Sequence, residues 1–283
     1  MSDPTDTYSA ARSAGRSRKT LLFANDKSSG KTTTANAVLV SLLQRFPMLM
    51  RSVSVREYER NPRLTTIFRK EDGFADVGHY DARNAEAFDM QRELAYDPNA
   101  TQWDDLLYDI GAGNMIADLG SNIFTEICRI LDDESRPIFP DGGERVGVVV
   151  PVTTAADSIE GARAAIEHVV GWGDRNAVFI VEQEYLGRFG EEQGEWKVWV
   201  ERLIAHHGPR VRQLKFEKLA VADIGGVVFQ RIDRIVSEAQ ATLRDDKLTG
   251  AALLRALRKA RAEIAWGNRG LETVRPIADW FAT

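Results

Sequence analysis

The residues from Asn25 to Thr34 form the part of the sequence with the clearest potential for chemistry. They read Asn-Asp-Lys-Ser-Ser-Gly-Lys-Thr-Thr-Thr, and they lie between an apolar run, 20–24, and a helix-like stretch, 35–45. A strand, a small polar loop and a helix in this order are typical of a phosphate-binding loop, because the backbone N–H groups and the dipole of a helix N-terminus favour an anion. The sequence therefore predicts that this segment binds phosphate groups.

Several side chains of the predicted loop have an expected role. Lys31 would reach the outer phosphates of a nucleotide, and the Thr32 hydroxyl would be a ligand of Mg²⁺. The other cofactor-binding candidates in the loop are Lys27, Ser28, Ser29, Gly30 and Thr33. Asn25 stands where the usual first glycine would be, and Asn tolerates positive φ better than most residues. An alternative stays open, in which Ser28, Ser29 or Thr32 only caps the helix.

A second candidate segment, 114–122, reads Asn-Met-Ile-Ala-Asp-Leu-Gly-Ser-Asn. It predicts a short apolar strand that ends in Asp118, followed by small residues and a helix at 123–131. An aspartate at the tip of a strand beside a phosphate loop can hold the Mg²⁺ shell, usually through water. The backbone N–H of Gly120 could then face the γ-phosphate. The alternative is that Asp118 only caps the helix that follows.

Short apolar segments alternate with helical patterns, and this alternation predicts the fold class. After 20–24, the strand candidates lie at 50–55, 114–118, 146–152, 177–181 and 211–216. The run from Val146 to Val152 is continuously apolar, which is typical of a central strand covered on both faces. Repeated βα units predict an α/β protein with a mostly parallel, twisted sheet and helices on both faces. Ligands in such sheets bind at the carboxyl ends of the strands. The residues expected to meet there are 25–33, Glu57, Asp118 and Thr153.

Local composition divides the chain into three parts. Residues 1–19 are rich in Ser, Ala and Arg, and we expect a disordered basic tail with a possible weak contact to DNA or another anionic surface. Residues 20–245 form the predicted nucleotide-binding domain, with a polar insertion of loop and helix at 71–101. Residues 246–283 predict a helical extension, which is either an amphipathic cap on the sheet or a surface for a partner, DNA or a membrane.

The overall composition narrows the class of protein. The chain has 283 residues, of which 43% are hydrophobic and 28% are charged, as in ordinary globular proteins. A net charge of -5 argues against a protein that coats nucleic acid, although a local basic patch is compatible with it. The single cysteine, Cys128, excludes an internal disulfide framework and favours a reducing cytosol. The sequence has no apolar run long enough to span a membrane and no signal peptide, so a cytoplasmic protein is expected.

The segment Asp26 to Ala35 resembles the loop of the ParA/MinD group of P-loop ATPases, which carries a variant Walker A motif, Lys-Gly-Gly-x-Gly-Lys-Thr-Thr. The run Asp118-Leu-Gly-Ser-Asn is similar to the second acidic motif of that group, and closely so to the ParA-like proteins of plasmid partition and conjugation loci. The strand that ends Pro151-Val-Thr-Thr-Ala is similar as well. This resemblance covers roughly residues 20–240. It implies a P-loop NTPase fold, ATP and Mg²⁺ as cofactors, and a protein partner such as an adaptor or a DNA-bound protein.

The sequence departs from that group at four places. Two glycines of the loop are replaced by Lys27 and Ser28. The lysine that reaches across a dimer to the partner's nucleotide is replaced by Asp26, with Lys27 one residue later. The nearest match to the acidic residue that closes the second strand and positions water is Glu57. The nearest match to the adenine-contacting Asn after the fifth strand is Gln183. Because Asp26 reverses a charge, the ATP-dependent homodimer that the resemblance implies stays an open question.

The resemblance implies an ATPase that binds Mg-ATP and uses slow hydrolysis to switch its partner interactions, in plasmid or chromosome partition or in conjugative transfer. Lys31, Asp118 and Glu57 are the catalytic candidates, and the segments 56–66 and 119–123 are the candidate switch loops. Two alternatives stay open. One is an ATP-dependent phosphotransferase or ligase with the polar insertion as a lid. The other is a nucleotide-binding scaffold without turnover.

Overall fold

The computed structural model describes residues 19–25, 29–81, 101–120, 123–133, 145–172, 176–218, 230–244 and 249–283. Three loop residues discussed above, Asp26, Lys27 and Ser28, lie outside these ranges, and so does the tail up to residue 18. Lys19, which we had assigned to the tail, is buried and begins the first strand.

Within the described residues, one parallel sheet of seven strands forms the centre of the molecule. The strands are β1 (Lys19–Phe23), β2 (Ser54–Tyr58), β3 (Asp76–Tyr80), β4 (Met115–Leu119), β5 (Arg145–Val152), β6 (Ala177–Gln183) and β7 (Val211–Phe216). Their order in the sheet is β3-β2-β4-β1-β5-β6-β7. The predicted α/β class with a parallel sheet is thereby confirmed.

The helices lie on both faces of this sheet, as the sequence predicted. They are α1 (Lys31–Arg45), α2 (Pro47–Met50), α3 (Leu64–Ile67), α4 (Thr101–Ala112), α5 (Ile123–Asp133), α6 (Ala156–Gly171), α7 (Gly194–His207), α8 (Ile232–Thr242) and α9 (Gly250–Ala282). Successive strand residues point to opposite faces. In β1, Leu21 and Phe23 join the apolar layer beneath α1, α8 and α9, whereas Leu22 joins the layer that includes α4 to α7.

Strand β3 corrects the prediction that residues 71–101 contain only loop and helix. It pairs in parallel with β2 at one edge of the sheet. Of its residues, Asp76 and His79 are exposed and the other three are half-buried. An edge strand needs few apolar residues because its outer side faces solvent, and this segment therefore lacked the apolar run by which the other strands were predicted.

The helical C-terminal extension is confirmed, and its second half belongs to the core of one sheet face. The side chains of Val274, Ile277 and Phe281 are buried in the layer that contains α1. A Cβ atom added at Gly147 of β5 would approach the Trp280 ring to 2.5 Å, so this strand and α9 are in close contact. The Lys19 ammonium donates a hydrogen bond to the Trp280 carbonyl oxygen. This half of α9 is thus an amphipathic cap on the sheet.

Candidate nucleotide-binding site

Parallel pairing brings the predicted site residues to the same end of the sheet, where the strands have their carboxyl ends. In the strand register, Asp118 of β4 lies opposite Phe23 of β1 on one side and opposite Glu57 of β2 on the other. The predicted phosphate loop follows β1 directly, and Thr153 follows β5, the other neighbour of β1. Segments that are far apart in the sequence therefore meet at the carboxyl ends of adjacent strands, where α/β sheets bind ligands.

The predicted loop leads into α1 through a glycine in a left-handed conformation. Gly30 is the N-cap of α1, with φ 86° and ψ 26°, and no side chain among the described residues caps the helix there. The first turn of α1 contains no acidic residue that would neutralise its N–H groups. The positive end of a 15-residue helix thus lies at the end of the loop, which is the arrangement that binds anions. Ser29 and Thr32 do not cap this helix.

Lys31 and Thr32, the first residues of α1, lie where the sequence predicted phosphate and metal contacts. The Lys31 ammonium donates a hydrogen bond to the Asn25 carbonyl oxygen at 2.5 Å. The Thr32 hydroxyl donates one to Asp118 Oδ2 at 2.9 Å. Thr33, the next cofactor-binding candidate, is half-buried. The structure therefore brings an ammonium, a hydroxyl and a carboxylate together at the N-terminus of one helix.

Asp118 is a buried carboxylate with incomplete hydrogen bonding. Its side chain is 4% exposed, and Oδ1 has no hydrogen-bond partner among the described residues. Burial raises the pKa of Asp118 to about 7, against the lowering effects of Lys31 and Thr32, and the charges of Glu57 and Glu59 raise it further. A cation beside Oδ1 would offset the cost of the buried charge, so the group fits the expected Mg²⁺ shell. Among the described residues, neither oxygen caps the helix that follows, since Oδ2 accepts from Thr32 and Oδ1 has no partner.

Two hydroxyl groups near the loop are also buried without a partner among the described residues. They are Ser29 Oγ in the loop and Thr153 Oγ1 after β5; the two residues are 1% and 0% exposed. Most buried polar atoms in folded proteins are hydrogen-bonded, and an unpaired one is costly. Together with Asp118 Oδ1, which lies near the end of β4, these atoms lie at the carboxyl ends of three neighbouring strands. A polar ligand at this edge would supply the missing partners.

Asn25 holds the start of the loop through its side chain and not through an unusual backbone conformation. Within the described residues, Asn114 is the only non-glycine residue with positive φ, so the conformation considered for Asn25 is wrong. Its amide donates hydrogen bonds to the carbonyl oxygens of Pro151 at 2.8 Å and Ser158 at 3.2 Å. The Ser158 hydroxyl in turn accepts from the N–H of Thr153 at 3.0 Å. These bonds join the loop to the end of β5 and to α6.

The carboxylate of Glu57, which was predicted to position water, is occupied by hydrogen bonds within the protein. Its side chain is fully buried, and its carboxylate accepts four hydrogen bonds. The donors are the N–H groups of Arg63, Leu64 and Thr65 and the hydroxyl of Thr65, at 2.6 to 2.9 Å. The N–H groups at the start of a helix lack partners within the helix, and a carboxylate that accepts from them forms strong hydrogen bonds. Glu57 thus anchors the N-terminus of α3.

Gly120 also differs from its predicted role. Its N–H donates to the Tyr58 carbonyl oxygen at 2.6 Å, so it does not face a γ-phosphate in this structure. A Cβ atom at Gly120 would lie 2.6 Å from that oxygen and 3.2 Å from Glu59 Oε2. The two candidate switch loops are therefore joined directly by a backbone hydrogen bond.

Gln183 is buried and packs against the residues that begin α1. Its side chain is 3% exposed, and its amide donates to the Thr34 hydroxyl at 2.6 Å. A Cβ atom added at Gly30 would lie 3.1 Å from Gln183 Cδ. In this structure the amide that was predicted to contact adenine is bonded within the protein.

Sequence reasoning missed the roles of Glu59 and Ser158. The charge of Glu59 raises the pKa of Asp118, and the Glu59 side chain lies beside Gly120. Glu59 follows Glu57 by two residues, and residues two apart in a strand point to the same face. This spacing could have indicated that Glu59 also lies near Asp118. Ser158 lies near the start of α6, a common position for a serine that bonds backbone N–H groups.

Neither a comparison with models of protein families nor one with curated proteins gave a match for this chain. In the part of the chain that the structure describes, no helix has both the length and the apolar character that crossing a membrane requires. Among the same residues, no three or more His, Cys, Asp or Glu side chains form a group that could hold a metal ion. A Mg²⁺ site that uses one hydroxyl, one carboxylate and the phosphates of a nucleotide needs no such group.

Proposed function

We propose that this chain is a ParA/MinD-like ATPase that binds Mg-ATP and uses slow hydrolysis to switch its interactions with a protein partner. Plasmid or chromosome partition and conjugative transfer are the processes that the motifs favour. The observation that carries this proposal is the group formed by Lys31, Thr32 and Asp118 at the N-terminus of α1. The orphaned Asp118 Oδ1 and Ser29 Oγ support it, because a nucleotide with its metal would pair both.

Each residue of the group has a distinct task in this proposal. Lys31 exchanges the neutral Asn25 carbonyl oxygen for charged phosphate oxygens, which form stronger hydrogen bonds. Thr32 would hold Mg²⁺ directly and Asp118 would hold it through water. When bound, the metal neutralises charge on the phosphate oxygens. The N-terminus of α1 adds its N–H groups to the phosphate contacts.

The switch in this proposal is the contact between the end of β2 and the segment after β4. The hydrogen bond from Gly120 to Tyr58 ties these two loops together. A nucleotide that draws the Gly120 N–H toward its γ-phosphate would break this bond. Such a change in loop contacts would alter the surface that a partner recognises.

A second candidate function is a nucleotide-binding scaffold without turnover. The saturated carboxylate of Glu57 favours it, because four protein donors occupy the group that was expected to position water. Binding would then stabilise the fold and its partner surface by mass action. The two candidates share the binding site and differ only in hydrolysis.

Binding of Mg-ATP, measured by calorimetry, tests the shared part of both candidates. The Lys31→Ala variant should lose affinity by about 100-fold, roughly 2.7 kcal/mol, because a charged phosphate contact is lost. The matched control is Lys218→Ala, since Lys218 is exposed. Wild-type protein that does not bind, or a Lys31 variant that binds as well as the control, would overturn the phosphate-loop assignment.

Phosphate release and light scattering then distinguish the two candidates. Slow release of phosphate, with a particle size that differs between ATP and ADP, supports the switching ATPase. Tight binding of Mg-ATP without phosphate release supports the scaffold.

A further inference from the structure

We propose that Gln183 is a positioning residue for the predicted phosphate loop. From the end of β6, it would hold Gly30 in the conformation that starts α1, before any ligand binds. The identity of the ligand in this inference rests on the proposed function, whereas the effect on loop geometry does not.

Close packing is the first observation that supports this role. Gly30 has φ +86°, a backbone conformation that residues other than glycine rarely adopt. The space where its Cβ would lie is bounded by Gln183, with Cδ at 3.1 Å and Cγ at 3.2 Å. The Gln183 side chain therefore packs against the loop at the residue that begins α1 in a left-handed conformation.

A directed chain of hydrogen bonds is the second observation. The Thr34 hydroxyl donates to the Gly30 carbonyl oxygen at 3.0 Å and accepts from Gln183 Nε2 at 2.6 Å. A hydroxyl has one proton, so a hydroxyl that donates to Gly30 must receive the amide N–H and not the amide oxygen. The chain thus fixes both the amide orientation and the Gly30 carbonyl, and linked bonds of this kind strengthen one another.

The rigidity of β6 makes Gln183 a suitable support. This strand is fully buried between β5 and β7, and Gln183 lies opposite Phe216 of β7. The preceding residue, Glu182, is fixed by hydrogen bonds from Trp196 at 3.0 Å and Gln213 at 2.7 Å. A loop that is held from such an element is ordered before binding, which lowers the entropy cost of binding a phosphate.

The test compares Gln183→Leu, Thr34→Val and the double variant, with Glu182→Gln as the matched control on the same strand. Leucine and valine keep most of the volume and remove the hydrogen-bonding groups. We expect each single variant to weaken Mg-ATP affinity by about tenfold. The double variant should lose no more than either single one, because both changes break the same chain of bonds. Glu182→Gln should keep the wild-type affinity, because the amide oxygen of glutamine can accept the two hydrogen bonds that Glu182 Oε1 accepts.

Hydrogen exchange in the ligand-free proteins supplies a readout that needs no nucleotide. The amides of residues 29–34 should exchange about tenfold faster in Gln183→Leu than in wild type, while those of Glu182→Gln should not change. Unchanged exchange in Gln183→Leu, or additive losses of affinity in the double variant, would overturn the inference. If wild-type protein binds no Mg-ATP, the proposed function fails, and exchange in these amides alone decides the role of Gln183.

Discussion

Two buried carboxylates, Glu57 and Asp118, lie opposite each other on neighbouring strands, yet their surroundings differ sharply. Glu57 accepts four hydrogen bonds from the start of α3 and is fully satisfied by the protein. Asp118 accepts one from Thr32, and its other oxygen has no partner among the described residues. Burial raises the pKa of Asp118 to about 7.

This difference separates a residue whose hydrogen bonds build the fold from one that keeps an unpaired oxygen. A buried carboxylate with every oxygen paired stabilises the elements around it, and its removal leaves donors unpaired. A buried carboxylate with an unpaired oxygen destabilises the protein until a cation or a proton joins it. Both residues had been predicted to be catalytic, but only Asp118 keeps a bonding position for a metal or a substrate.

Replacing Asp118 by Asn should have the largest effect on stability, and the effect should be stabilising. The folded-state pKa of about 7 lies above the ordinary 3.8, so the folded state keeps the proton at higher pH than the unfolded state. The contribution of Asp118 to the free energy of unfolding should therefore fall as pH rises from about 4 to about 7. At pH 8, Asp118→Asn should be more stable by up to roughly 4 kcal/mol, measured by urea unfolding without nucleotide.

Below pH 4, wild type and Asp118→Asn should have the same stability, and this supplies the internal control. Binding of Mg-ATP by the variant should be weakened, although its fold is more stable. A stability difference that does not change between pH 4 and pH 8 would show that the folded state does not raise the pKa of Asp118.

Replacing Glu57 by Gln should destabilise the protein, and the change in the free energy of unfolding should be somewhat smaller than for Asp118→Asn. One oxygen of the side chain becomes an NH₂ group, which leaves two of the buried donors without an acceptor. We expect the free energy of unfolding to fall by about 3 kcal/mol. The control is Glu59→Gln, since the hydrogen bond that Glu59 Oε1 accepts comes from the N–H of exposed Arg60. Normal stability of Glu57→Gln with lost phosphate release would instead restore the water-positioning role.

Much of the fold could be predicted because its central strands are buried on both faces. Such strands must be continuously apolar, and four of them, β1, β4, β5 and β6, were recognised by that property. Strand β3 was missed because its position at the sheet edge permits polar residues. The extent to which α9 enters the core could not be predicted, since it depends on distant contacts such as that between Gly147 and Trp280.

The types of the site residues were easier to predict than the directions of their side chains. Lys31, Thr32 and Asp118 lie together because strand order and helix start fix their positions. Glu57 and Gln183 lie at the predicted strand ends, but their partners belong to α3 and α1. Partners that come from other elements leave no periodic signal in the sequence, so a correct position did not guarantee a correct role.

Replacing Ser29 should have the smallest effect on stability. It tests, on a neutral group, the distinction between a buried polar atom that is paired within the protein and one that is unpaired. Its hydroxyl is buried and unpaired, so Ser29→Ala should leave the free energy of unfolding unchanged or raise it by less than about 1 kcal/mol. Affinity for Mg-ATP should fall about fivefold, measured by calorimetry, because a phosphate contact is removed. Ser158→Ala is the matched control: this equally buried hydroxyl accepts the Thr153 N–H, and its loss should cost about 1 kcal/mol of stability. If both variants were destabilised equally, Ser29 would be bonded within the protein and would belong with Glu57 and not with Asp118.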